Sequence, residues 1–98
     1  MSSPQDPARG IFAISVAADL AGTTIQNLRV YERRGLLEPD RTDGGTRQYS
    51  QHDVERLQRI RELLDAGLNL AGITHVLALE AEVDRLEEQV AEHDSRTP

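Results

Sequence analysis

Two short helical segments separated only by Gly22 and Thr23 constrain this chain more than any other feature of its 98 residues. Ser15 is a hydroxyl start signal for the first segment, and Gly22 closes it. Ala17, Leu20 and Ala21 fall on one face, at i, i+3 and i+4. Thr24 caps a second segment that runs to Arg34, with Gly35 as its stop. At about 100° per residue, Ile25 and Leu28 point one way, while Gln26, Asn27, Val30, Arg33 and Arg34 point broadly the other. Ala18 and Gly22, four apart, suit a corner where two helix backbones approach closely. Such a pair reads either as a helix-turn-helix or as an ordinary αα-hairpin in a bundle, and spacing alone leaves both open.

The character changes after Leu36. Pro39 excludes helix, Asp43-Gly44-Gly45 is a turn signal, and the flanking segments predict a β-hairpin whose returning arm carries Arg47 and Tyr49. Ser50 followed by Asp53 is a capping box with Asp in place of Glu. Val54, Leu57, Ile60 and Leu64 then continue at helical spacing as far as Gly67. Leu68, Asn69 and Ile73 form a staple around a new cap. From there Val76, Leu79, Val83, Leu86 and Val90 alternate three and four apart, a heptad seam of about two repeats. The predicted fold is mainly α: a helix-turn-helix, a small hairpin wing, a helix pair and a C-terminal coiled-coil dimerisation helix.

All 11 basic residues are arginine, and the net charge is −6. Its distribution matters more than its sum. Residues 1–61 carry nine arginines against eight acids, a net of +1, and residues 62–98 carry two against nine, a net of −7. An anionic partner therefore belongs to the first half. Cysteine is absent, which excludes thiol nucleophiles, disulfides and cysteine metal sites. His52, His75 and His93 share no ligand spacing with a carboxylate, so no metal is expected. No Gly-rich phosphate loop or Ser–His pairing suggests catalysis, and neither an enzyme nor a cofactor is expected. No apolar run reaches membrane-spanning length, and the polar first ten residues lack the apolar stretch of a secretory signal. The expectation is a soluble, cytoplasmic protein.

Specific stretches now carry a resemblance. Phe12-Ala13-Ile14-Ser15 through Gly22, Leu28-Arg29-Val30-Tyr31-Glu32-Arg33-Arg34-Gly35-Leu36-Leu37, Arg47-Gln48-Tyr49-Ser50 and Asp53-Val54 together resemble the MerR family of winged helix-turn-helix transcription regulators. Residues 14–22 and 67–73 are similar to its actinobacterial heat-shock repressor branch, HspR. The resemblance implies a homodimeric repressor of a stress or chaperone operon, bound to double-stranded DNA at an inverted repeat, with a DnaK-type chaperone as corepressor. It also implies that Arg29 and Tyr31 touch the DNA backbone. The family's usual Tyr-Tyr pair is Val30-Tyr31 here, which removes one ring. The metal sensors of the family use cysteines, so no metal effector is expected.

The residues themselves fill out the candidate interface. Gln26 and Asn27 have amides able to read adenine, and Thr24 lies beside them with a capping role of its own. Arg33 and Arg34 either face DNA or complement the helix C-terminus. Periodicity alone places Arg29 on the flank nearer the protein, where it has an alternative partner in Glu32, at i+3. Arg47 and Tyr49 suit phosphate contacts from the wing, with Arg41 on the opposite arm a weaker candidate and Tyr49 alternatively a core residue. The organisation expected is a disordered 1–11, a DNA-binding domain over 12–79, a dimerisation helix over 80–93 and a disordered 94–98. Rival readings are a protein-interaction module built on the acidic C-terminal helix, or a small architectural DNA binder.

Overall fold

The computed structural model describes residues 6–96. Helix α1 spans Ile14–Ala21, and α2 spans Ile25–Arg33. Strands β1 (Asp40–Arg41) and β2 (Arg47–Gln48) pair antiparallel, with Asp40 opposite Gln48 and Arg41 opposite Arg47. Helices α3 (Gln51–Asp65) and α4 (Leu70–Arg96) complete the chain. Among the described residues no helix is long and apolar enough to cross a membrane.

Local chemistry sets most of these boundaries. The Thr24 hydroxyl accepts from the Asn27 backbone N–H at 3.1 Å and starts α2. At α3 the Ser50 Oγ accepts from Asp53 N–H at 3.0 Å, and the Asp53 carboxylate accepts from Ser50 N–H at 2.8 Å, so the capping box is complete. Asn69 Oδ1 accepts from Gly72 N–H at 2.8 Å at the start of α4. The first helix departs from expectation. It begins at Ile14 behind an extended Ala13 with no side-chain cap, so Ser15 lies inside the first turn and is exposed. Its end is set by Gly22, whose φ of 71° is a left-handed conformation that glycine adopts without steric cost. A Cβ there would also collide with the Arg61 guanidinium.

The core lies where α1, α2, α3 and the first turns of α4 converge. Leu28, Tyr49, Leu57, Ile60 and Ile73 are its largest fully buried side chains. Toward α3, helix α1 presents Ala17, Ala18 and Ala21 rather than the predicted set, and Leu20 is exposed. Alanines allow the close helix contact that a leucine would wedge apart. Along α3 the buried row is Val54, Leu57, Ile60 and Leu63, while Leu64 points outward. A strict i, i+3 progression rotates the stripe by one position, enough to exchange neighbours.

The ends also differ from expectation. Predicted disorder over 1–5 and 97–98 lies outside the described residues. Residues 6–11, however, are tied down: Gly10 N–H donates to Asp40 Oδ2 at 2.8 Å, and His52 N–H donates to the Pro7 carbonyl at 3.0 Å. Phe12 and Tyr49 then exchange backbone hydrogen bonds of 2.9 and 2.8 Å, extending the hairpin by one bridge. At the other end α4 is a single helix from 70 to 96, unbroken at 79–80 and continuing through 94–96.

Candidate nucleic-acid interface

The exposed face of α2 is built by helical spacing. Gln26, Arg29 and Arg33 stand at i, i+3 and i+7, with Arg34 following at the C-cap, and all four are exposed. Among the described residues none of these side chains makes a hydrogen bond or ion pair. The alternative pairing of Arg29 with Glu32 does not form, since Glu32 is committed elsewhere. Asn27 is less available than its sequence suggests, because its Nδ2 donates to the Thr23 hydroxyl at 3.0 Å across the turn. Thr24 is occupied as the cap.

The wing arginines meet a single carboxylate. Arg41 Nη2 donates to Glu32 Oε1 at 3.1 Å, and Arg47 Nε donates to Glu32 Oε2 at 2.5 Å. Arg41 also donates from Nη1 to the Gly45 carbonyl at 3.1 Å, closing the turn it precedes. Arg41 is thus a brace of the hairpin rather than a free cation. Arg47 uses only its Nε, and its two terminal nitrogens have no partner among the described residues.

The two tyrosines are corrections to the expected site. Tyr31 is only 5% exposed, with its ring in the core. Burial raises its pKa above the ordinary tyrosine value, partly offset by a hydrogen bond with the Thr23 side chain. Tyr49 is 0% exposed, and its hydroxyl has no hydrogen-bond partner among the described residues. Its pKa is raised as well, first by burial and then by the Glu32 carboxylate. The Tyr49 hydroxyl is therefore not on the surface where a phosphate contact would need it, and Tyr31 as a whole is a buried residue.

Three side chains of α3 that sequence reasoning did not single out fix the corner from behind. Arg61 Nη1 donates to the Gly22 carbonyl at 2.6 Å, Gln58 Nε2 to the Leu20 carbonyl at 3.3 Å, and Arg56 Nε to the Leu36 carbonyl at 2.5 Å. Leu20 lies in the last turn of α1, and Gly22 and Leu36 follow helix ends, positions whose carbonyls lack helical partners. Separations of 20 to 39 residues left no local signal for these contacts.

The predicted seam runs along α4. Val76 is half-buried against the core, but Leu79, Val83, Leu86 and Val90 are 46–66% exposed. They line shallow apolar depressions together with Arg59, Glu80 and Glu87. Arg59 ties α3 to α4 at the base of this face through a forked pair with Glu80, Nη2 to Oε2 at 2.9 Å.

Comparison with known proteins agrees with this geometry. Residues 12–80 match the family described as MerR HTH family regulatory protein. The Streptomyces coelicolor protein designated heat shock protein HspR is 47% identical over 83 residues, covering 84% of this chain and 55% of that protein. The N-terminal part of MtaN, the Bacillus subtilis multidrug transporter activator, superposes with a TM-score of 0.64 at 29% identity, covering 87% of this chain and 90% of that one. HiNmlR, a MerR family regulator lacking the sensor domain and crystallised on promoter DNA, shares the fold with a TM-score of 0.61 at 22% identity, covering 86% and 76%. The chain spans about half the length of the curated relatives it matches, HspR among them.

Proposed function

The chain belongs to the MerR HTH family of regulatory proteins, and from that premise we propose that it is a sequence-specific DNA-binding transcription regulator acting as a homodimer. Helix α2 enters the major groove, and the wing lies along the flanking backbone. One observation carries the reading. Three arginines and an amide with no partner among the described residues occupy one exposed face of α2, beside a hairpin that offers the terminal nitrogens of Arg47. Arg29, Arg33, Arg34 and Arg47 meet phosphates, and Gln26 reads a base edge. Thr24 and Asn27 serve the turn, Arg41 braces the wing, and Tyr31 and Tyr49 support the face from the core.

The apolar stripe Val76–Val90 pairs with its copy in a second protomer, which places two α2 helices on an inverted repeat. Identity to a protein designated heat shock protein HspR supports a place in a stress response, and we extend the reading to repression of a stress or chaperone operon in the cytoplasm, with a DnaK-type chaperone as corepressor. Selection of binding sites from a random duplex pool tests this directly. The expected outcome is a two-fold symmetric site bound at least about 10³-fold tighter than random DNA at physiological salt. A pool with no enriched symmetric site would contradict the proposal.

A further inference from the structure

Glu32 poses a problem for a face that meets DNA. It places a carboxylate, 17% exposed, between the recognition helix and the wing, where it repels phosphates. An acid at such a position weakens binding unless it does something that outweighs its charge. Its two oxygens are divided between two arginines, Oε1 to Arg41 and Oε2 to Arg47. The hairpin it grips has only two residues per strand, marginal by itself, and its other anchors, through Asp40 and Tyr49 to residues 10–12, do not hold the Arg47 side chain. Arg41 is consumed by this clasp, with Nη2 on Glu32 and Nη1 on the Gly45 carbonyl. Arg47 is not. A guanidinium has five N–H groups, and the clasp takes only the one on Nε. The remaining fork at Nη1 and Nη2 is the arrangement that grips a phosphate bidentately.

We propose that Glu32 is a positioning residue for DNA binding: it holds Arg47 by Nε so that the Nη1/Nη2 fork is presented to a backbone phosphate. This rests on the DNA-binding reading above and deepens it. The consequence runs against simple charge counting. Replacing Glu32 with Gln removes one negative charge from each protomer, which by long-range electrostatics strengthens binding to a polyanion. Positioning requires the reverse.

The test uses the full chain, a fluorescent random-sequence duplex of about 30 base pairs and roughly 50 mM salt, since phosphate contacts are largely independent of sequence. Binding is read by anisotropy, and thermal melts monitor folding. R47A is expected to weaken binding about tenfold, and E32Q roughly fivefold. In the R47A background, E32Q is expected to cost less than about twofold, because its effect passes through Arg47. R47K keeps the charge but lacks the fork, and is expected to bind about as weakly as E32Q. This last variant leaves Glu32 in place and decides the matter even if E32Q folds poorly. Binding by E32Q as tight as wild type or tighter, an undiminished E32Q effect without Arg47, or wild-type affinity in R47K would each overturn the proposal. Failure of the wild-type chain to bind any duplex would overturn the functional reading and this inference with it.

Discussion

Leu57 and Ile60 stand three apart on α3, as Val83 and Leu86 do on α4, yet Leu57 and Ile60, with Leu28 and Ile73 of the neighbouring helices, are fully buried, while Leu79, Val83, Leu86 and Val90 are about half exposed. The first group is covered by four helices of the same chain. The second extends along the distal part of a 27-residue helix, about 40 Å long, and is left uncovered among the described residues. The same apolar pattern therefore serves two ends, and the surrounding topology decides which. The α1–α3 unit with the first turns of α4 is satisfied within one chain, and a monomer rarely leaves a stripe as long as the other uncovered.

This contrast is open to attack on both sides. Leu57→Ala opens a cavity in the core and is expected to cost about 2–5 kcal/mol, measured by urea unfolding. Leu86→Ala, on the exposed stripe, is expected to leave the unfolding of dilute protein within about 0.5 kcal/mol of wild type. Equal costs at the two positions would erase the distinction. Association gives the converse. Leu86→Glu is expected to shift sedimentation to monomer and to weaken full-site binding about 10²-fold while leaving half-site binding little changed, because a dimer on an inverted repeat gains from effective concentration. The nine acids of residues 62–98 repel when two tails meet, so the proposed dimer is expected to dissociate more readily on dilution at low salt than at high salt.

Smaller effects refine the satisfied half. Gly22→Ala forces a left-handed conformation on alanine and displaces Arg61 from the Gly22 carbonyl, and a loss of about 1–2 kcal/mol is expected in the same urea assay. Tyr49→Phe removes a buried hydroxyl that has no partner among the described residues, so neutral to slightly higher stability and unchanged DNA affinity are expected. The two tyrosines also set an alkaline limit. Both have pKa values raised on folding, so their neutral forms are favoured in the native state and their contribution is full below the ordinary value of about 10. It is lost as pH rises through the raised folded values, and melting temperature is expected to fall in that window. Tyr49→Phe is expected to blunt the fall.

Much of this was legible in the residues, for a physical reason. Caps and turns are local, and Thr24, Ser50 with Asp53, Asn69 and the Asp43-Gly44-Gly45 turn each act within four residues. The seam was equally readable, because its period is its whole content. The buried rows were harder. Ala18 replaces Leu20 and Leu63 replaces Leu64 because neighbouring positions share a flank, and the partner helix chooses between them. The interface was legible in part. The exposure of Arg33 and Arg34 follows from spacing, but that of Arg29 does not, and the burial of Tyr31 and Tyr49 depends on what packs over them. Glu32 was visible only as a neighbour of Arg29, whereas its partners stand 9 and 15 residues downstream on a strand pair that must form first.

The central claim is that the α2 and wing arginines bind the DNA backbone from two protomers at once, and salt dependence tests it most directly. Arg29, Arg33, Arg34 and Arg47 from each protomer give on the order of 6–8 phosphate contacts per dimer, which corresponds to a loss of affinity of about 10³-fold or more between 50 and 200 mM salt. A logarithmic plot of affinity against salt with that steep, linear fall is the expected result. A flat response would contradict it.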